Sequence, residues 1–391
     1  MDQKAIESCS DMTDEPLRVL QVIREMNRAG AETLLMNLYR SIDRSKVQFD
    51  FLVNSTEKAD YDDEIRELGG NIYSIRYFNG INLFEYVRDA RGFFDSHPYR
   101  VVHGHIGSAA AVYLSVAKKR CGAYTIAHSH NCRGPLSISE IEFRAVSYPT
   151  RYIADYFFGC SEQAGIDRYG SNIVRSDKYS RLNNGIDTLR YKFSASKRYS
   201  AREELNIPQD ALVVGHVGRF AHQKNHAFLL KIFKEIHDKV GNSRLLLAGK
   251  GELEATVRGM ASELGVSPYV HFLGTRSDIP DLLMAMDAFV FPSFIEGLPF
   301  ALVEAQASGL PCFISDSIPS ESKLTNTTYC LSLTQNAGEW AHFILDNLTA
   351  DYASRSLSAD IVAAQGFDIR ETAAKLQAFY LQKASVSPSK P

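Results

Sequence analysis

The chain has 391 residues, more than one hydrophobic core commonly serves, so two domains of ordinary size are expected. Its composition, 45% hydrophobic, 23% charged and 11% aromatic, is that of a globular protein, and a net charge of −3 lacks the basicity of nucleic-acid binders. The opening MDQKAIESCSDMTDE is polar and acidic rather than an apolar leader, and no apolar run approaches the roughly 20 residues that span a bilayer, so a cytoplasmic protein is expected.

Residues 1–15 read as a disordered tail, since they are polar and carry no hydrophobic period. A first domain is expected over 16–190. Its strand candidates are RVLQVI (18–23), VQFDFLV (47–53), NIYSI (71–75), RVVHGH (100–105), AYTIAH (123–128) and YIADYFFGC (152–160). Amphipathic stretches such as AETLLMNLYRSI and GSAAAVYLSVAKKR separate them, and that alternation predicts a parallel, doubly wound sheet. The stretch GIDTLRYKFSASKRYSAREELNIPQD (185–210) is polar and reads as an inter-domain linker. The pattern then restarts over 191–368 with ALVVGHVG (211–218), RLLLAG (244–249), YVHFLG (269–274), DAFVFPS (287–293) and PCFIS (311–315). A last helix over 369–384 could return to the N-terminal half. The expected class is α/β: two Rossmann-like domains facing each other across a deep cleft. Cys9, Cys121, Cys132, Cys160, Cys312 and Cys330 are scattered without a CxxC pair and read as reduced thiols.

Ligands of open α/β sheets bind beyond the carboxyl ends of the strands, so the polar residues just past each strand are the candidates. The sharpest segment is FPSFIEGLPFALVEAQASGLP (291–311). A strand ends near Ser293, and a helix starts around Pro299 and stops before Gly309. The amides of Leu298, Phe300 and Ala301 then open a helix N-terminus, where phosphate is favoured. Glu296 precedes that terminus and Glu304 lies on the helix, seven residues between them. Carboxylates repel phosphate but accept hydrogen bonds from hydroxyls, which fits a sugar at Glu296 and a ribose at Glu304. The plainer reading is acids that stabilise a helix start, worth about 0.3–1 kcal/mol each.

In VGRFAHQKN (217–225), Arg219 and Lys224 follow a strand and are placed to neutralise a leaving diphosphate, or else form a solvated basic loop. In AGAE (29–32), Gly30 permits close approach to a phosphate, although the full GxGxxG spacing of a dinucleotide fold is missing. Two His-x-His pairs, His103/His105 and His128/His130, end N-terminal strands. A zinc site is set aside because no acidic or cysteine ligand is spaced with them. His128 and His105 are read as cleft-lining donors to a sugar, His103 and His130 as satisfied structural histidines. Asp60-Tyr61-Asp62 has the Asp-x-Asp form of metal-dependent sugar transfer, but clustered acids opening a helix explain it. No metal is therefore expected.

Taken together, Glu296-x7-Glu304, VGR with Lys224, RAGAE and NNGID (183–187) resemble the family-4 retaining glycosyltransferases of the GT-B fold, over about residues 17–383. TIAHSHN (125–131) and FFGCSEQAG (157–165) are most similar to the bacterial capsule and exopolysaccharide members. The resemblance implies that Arg219 and Lys224 hold the donor diphosphate with Gly30 close by. It implies that Glu296, with the segment Gly297, Leu298, Pro299 and Phe300, contacts the donor sugar. Glu304 then binds the ribose and His128 faces the transferred sugar. The implied donor is a nucleotide-diphosphate sugar, commonly UDP-linked, and the implied acceptor is a glycan or polyprenyl-linked glycan, met at the inner membrane face. Arg144 and Arg151, among aromatics, fit a surface-associating helix or an ordinary amphipathic one. One departure is Ala29, where two consecutive glycines are common. A GT-B nucleotide-sugar epimerase and a non-catalytic sugar-nucleotide-binding subunit are the competing readings. An NAD-dependent oxidoreductase is disfavoured by the absent glycine fingerprint.

Overall fold

The computed structural model describes residues 15–130, 138–348 and 352–385; most of the expected N-terminal tail, Cys9 and Cys132 lie outside them. Two parallel sheets carry the chain. The first comprises β1 (Leu17–Val22), β2 (Val47–Val53), β3 (Ile72–Ser74), β4 (Val101–Gly104), β5 (Tyr124–Ser129), β6 (Tyr156–Gly159) and β7 (Tyr179–Arg181), in the order β3-β2-β1-β4-β5-β6-β7. The second comprises β8 (Leu212–Val217), β9 (Ser243–Ala248), β10 (Val270–Gly274), β11 (Ala288–Phe291), β12 (Cys312–Ser315) and β13 (Thr328–Leu331), in the order β10-β9-β8-β11-β12-β13. In each sheet the strand order reverses once, at β1/β4 and at β8/β11, and such switch points open a crevice at the carboxyl ends of the strands.

Both sheets are covered on both faces, which explains their near-continuous apolar strands. Phe49, Phe51 and Val19 meet one helical layer of the first sheet, while Leu20, Val102 and Phe157 meet the other. The one buried acid of β2, Asp50, is fully employed: Arg18 binds it with two nitrogens, both at 2.7 Å, and Tyr99 donates to it at 2.8 Å. That pairing holds its carboxyl below the usual range despite burial, as a buried charge requires.

Three local expectations change. The strand candidate 152–160 begins with the end of a helix, Thr150–Ile153, and pairing starts only at Tyr156. Strands β7 and β13 carry no long apolar run because they lie at sheet edges, where part of each faces solvent. The polar stretch read as a linker is instead folded. Helices Thr188–Tyr191 and Ala195–Glu204 join the second sheet, where buried Arg198 and Arg202 each donate to Asp287 at 2.7 Å. Arginines that serve as internal ties make such a segment look solvated in sequence.

The actual crossings are short. Ile186 and Asp368 form a parallel bridge, with Ile186 N–H donating to Phe367 O and Ile369 N–H to Ile186 O, each at 2.9 Å. Gly366 turns there at φ 83°, and Asn183 donates to its carbonyl at 3.0 Å. Beyond it the helix Ile369–Ser385 lies on the first sheet, burying Ile369, Ala373, Leu376 and Tyr380 in the core beside β1 and β2.

Candidate active site

The carboxyl ends of the two sheets enclose a cleft of about 1450 Å³. That exceeds the roughly 300–1,000 Å³ of a single-ligand pocket, leaving room for two substrates. Gly30, His105, His128, Arg219, Lys224 and Glu296 all line it, as do Gly297, Leu298, Pro299, Phe300 and Glu304. His103 lies beneath the surface of the N-terminal wall.

The donor-side wall is built from three loops zipped by main-chain bonds. After β8, Gly218 N–H donates to Ala248 O at 2.9 Å and Phe220 N–H to Lys250 O at 3.1 Å. A Cβ on Gly249 would meet Gly218 O at 2.1 Å, and Gly249 itself sits at φ 145°, so only glycine lets these loops touch. The result is that Arg219 stands exposed at the cleft surface, with no ion pair among the described residues. The turn His222–Lys224 precedes the helix His226–Val240, and Asn225 between them takes the left-handed conformation at φ 54°. Gln223 ties this turn to the third loop twice: its carbonyl accepts from Phe294 N–H at 2.9 Å, and its side chain donates to Ile295 O at 2.6 Å.

That third loop carries Glu296 and ends in the helix Phe300–Ala307, with Pro299 as its extended N-cap. The amides of Gly297, Leu298, Phe300 and Ala301 have no hydrogen-bond partner among the described residues and face the start of the helix. Such a group of free donors carries partial positive charge. Asn184 donates to Leu298 O at 2.7 Å, so the inter-domain crossing holds the same loop in place. Lys224 does not stand free: its Nζ donates to Glu296 Oε1 at 2.6 Å and lies 4.7 Å from the Phe291 ring centre. Glu304 accepts from the Tyr191 hydroxyl at 2.6 Å. Burial raises the Glu304 carboxyl above its ordinary range, and the Tyr191 bond works in the opposite direction.

The N-terminal wall differs in kind. The helix Gly30–Ser41 starts at the cleft, and a Cβ on Gly30 would meet nothing of the protein within 4 Å, so the space above it is open. Glu32, in the first turn, is pushed up to about 7 by burial and by Glu25. Asp60 and Asp62 are used locally, accepting from Arg28 N–H at 3.0 Å and Ala59 N–H at 3.1 Å, outside the cleft lining. The four histidines cluster. His105 Nδ1 lies 2.8 Å from His130 Nε2, and the His128 and His130 ring centres are 4.0 Å apart. Burial drives all four below the usual histidine range, His103 to about 3 and His130 to about 4, so they stand as neutral imidazoles.

Sequence reasoning overlooked Asn184, Tyr191, Gln223 and Lys250 as site residues. NNGID and AGKGE, which carry Asn184 and Lys250, each pair a turn-forming glycine with a polar neighbour at the end of a strand, a signal that was available. Tyr191 sat in the supposed linker.

Residues 197–342 match the family model described as glycosyl transferases group 1. The Bacillus subtilis strain 168 protein EpsF, provisionally named a glycosyltransferase, is 35% identical over 376 residues, covering 94% of this chain and 97% of its own length. The Staphylococcus aureus capsular polysaccharide biosynthesis glycosyltransferase CapH is 23% identical, covering 94% and 99%. The crystal structure of HepE from Anabaena in complex with UDP superposes with a TM-score of 0.77 at 18% identity, covering 94% and 100%. With two parallel-sheet domains about one cleft and a relative of this identity along nearly its whole length, the chain belongs to the group 1 glycosyl transferases, enzymes of the GT-B fold.

Proposed function

We propose that the chain transfers a hexose or N-acetylhexosamine from a nucleotide-diphosphate sugar, with retention at the anomeric carbon, onto a glycan or lipid-linked acceptor in capsular or exopolysaccharide assembly. The observation that carries this reading is the convergence on one cleft of exposed Arg219, Lys224 and the free amides of residues 297–301. A diphosphate is an anion that such cations and free amides together can hold. Glu296 and Glu304 flank them as acceptors for sugar and ribose hydroxyls. UDP is the favoured carrier because the Anabaena HepE structure holds it, and the capsular role follows the name of CapH.

In this mechanism the bond from the anomeric carbon to the diphosphate oxygen breaks as the acceptor oxygen bonds on the same face. The acceptor proton passes to a phosphate oxygen, so no protein nucleophile is required. Arg219, Lys224 and the helix terminus stabilise the charge that grows on the diphosphate. When the anion arrives, Lys224 is drawn from Glu296 toward it, and Glu296 turns to the sugar. His128 lines the cleft with both ring nitrogens buried, so its imidazole turns outward to meet the transferred sugar, with His105 beside it. The reaction needs no metal. Domain closure about the crossings at Ile186 and Asp368 excludes water from the loaded donor.

The acceptor side fits a membrane surface. Ile81, Phe84 and Tyr152 are 90%, 88% and 76% exposed on the N-terminal half, and Ile141 and Tyr148 are also exposed. Tyr77 and Phe143, in the same segments, line the cleft. No helix among the described residues is long and apolar enough to cross a membrane, so contact by such a rim is peripheral, at the cytoplasmic face.

The test is a thermal-shift screen of UDP-, GDP- and ADP-sugars against the wild type and Arg219→Ala, followed by NMR of the anomeric configuration of the product. A shift with UDP-sugars that Arg219→Ala removes, and a product with the donor's anomeric configuration, are expected. An inverted product or an unaltered shift in the variant defeats the reading. Conversion of donor without acceptor favours the epimerase instead.

A further inference from the structure

The N-terminal wall contains an arrangement that sugar transfer does not use. One ring nitrogen from each of His103, His105 and His128 lies within 4.8 Å of the other two. Both nitrogens of His128 and Nε2 of His103 are buried without any hydrogen-bond partner among the described residues. An orphaned buried polar atom is costly, and three on adjacent rings is uncommon. The outer nitrogens of His103 and His105, by contrast, are held. Tyr380 OH sits 2.6 Å from His103 Nδ1, Gln21 Oε1 sits 3.0 Å from His105 Nε2, and Gln21 Nε2 donates to Tyr380 OH at 3.3 Å. At His103 this is the pattern of a metal ligand, in which a histidine's far nitrogen is fixed by a hydrogen bond so that the near one points inward.

We propose that His103, His105 and His128 bind a zinc-class transition metal, with the fourth position open to the cleft and His130 as its nearest additional donor. Three imidazoles without a carboxylate suit zinc, copper or nickel and exclude magnesium or calcium. Tetrahedral ligands on Zn–N bonds of about 2.0–2.1 Å stand about 3.3 Å apart, so the rings draw together by side-chain rotation on binding. His105 exchanges its contact with His130 for the metal. Since His128 faces the transferred sugar in the function proposed above, a bound metal occupies its lone pair and stops transfer. The site is thus inhibitory, and it rests on that reading only for this last consequence.

The experiment uses the full chain stripped of metal by a chelator. Zinc is titrated against a chromophoric chelator, and cobalt binding is followed by its visible ligand-field bands. One zinc per chain is expected, with four-coordinate cobalt bands. His103→Gln and His128→Gln weaken binding by at least about tenfold to a hundredfold, and Tyr380→Phe, a milder change that keeps the core filled, weakens it by about tenfold. His342→Gln, on an exposed helix, changes nothing. Absence of stoichiometric zinc, or equal binding by the folded His128→Gln and Tyr380→Phe proteins, overturns the site. One equivalent of zinc should also abolish sugar transfer, and EDTA should restore it. Zinc bound with transfer undiminished keeps the metal site and removes His128 from the sugar.

Discussion

The two walls of the cleft solve different problems with different materials. The wall from the second sheet is made of charge and main chain: Arg219 exposed, Lys224 paired with Glu296 at 2.6 Å, and a row of unpaired amides. The wall from the first sheet, beneath a rim that includes Arg24, Arg28 and Glu32, is floored by neutral imidazoles, sealed from below by Gln21 and Tyr380. A diphosphate is the same anion whichever sugar it carries, so fixed positive potential can be built for it in advance. A sugar presents hydroxyls of varied placement, and neutral rings can donate or accept without drawing in a counter-charge.

The strongest way to break this contrast is to remove the prop under the histidine wall. Tyr380→Ala empties a fully buried aromatic site and is expected to cost about 3–5 kcal/mol, read as a lowered urea midpoint, while UDP binding to the other half persists. Equal loss of both would show that the walls are not separate structures. Next, Arg219→Ala and Lys224→Ala should each lower kcat/KM for transfer by about 10²–10³ with the fold intact by circular dichroism. The pair Lys224→Met/Glu296→Gln sharpens this. If Lys224 serves only to neutralise Glu296, the double variant recovers activity; a lysine that holds the diphosphate predicts no recovery.

The histidines also bear on pH. Their folded values are depressed while the unfolded chain titrates near about 6.5, so below that pH the unfolded state binds protons that the native state refuses. Stability is therefore whole above pH 6.5 and falls toward about pH 4, by at most about 1.4 kcal/mol per pH unit for each ring. A His103→Gln variant should show a shallower loss over that window in urea melts, and an unchanged slope would mean the rings are charged. A smaller effect is expected from Tyr191→Phe. Losing its bond lets burial raise the Glu304 carboxyl further, so the acid limb of kcat/KM moves to higher pH and donor KM rises by about tenfold, or about 1.4 kcal/mol. Smallest of all, Asp60→Asn, and EDTA added to the zinc-free chain, should leave transfer unchanged, and a loss restored by Mn²⁺ would return Asp-x-Asp to consideration.

Much of this was legible before any coordinates. Strands such as β2 and β8 announce themselves because both their faces are buried, and the helix after Glu296 is bracketed by Pro299 and Gly309. What stayed hidden depends on contacts distant in sequence. Arg198 and Arg202 read as solvent-facing until Asp287 is placed beside them. Nothing near Glu296 says that Lys224 is its partner, 72 residues away. The histidine pairs were visible, yet their meeting across β4 and β5 needs the parallel register of those strands, and the tie from Tyr380 spans 277 residues.

That last distance has a consequence for how the protein is made. Every residue of the second sheet leaves the ribosome before Tyr380 does, but the second half's own core is closed by Val362 and Phe367, only a short way ahead of it. The first half, although translated first, waits for the helix Ile369–Ser385 to complete the layer that the helix Gly30–Ser41 begins over β1 and β2. Vectorial synthesis ordinarily favours N-terminal domains. Here the first half finishes no earlier than the second, and the nascent chain keeps part of an apolar layer open until the helix Ile369–Ser385 emerges.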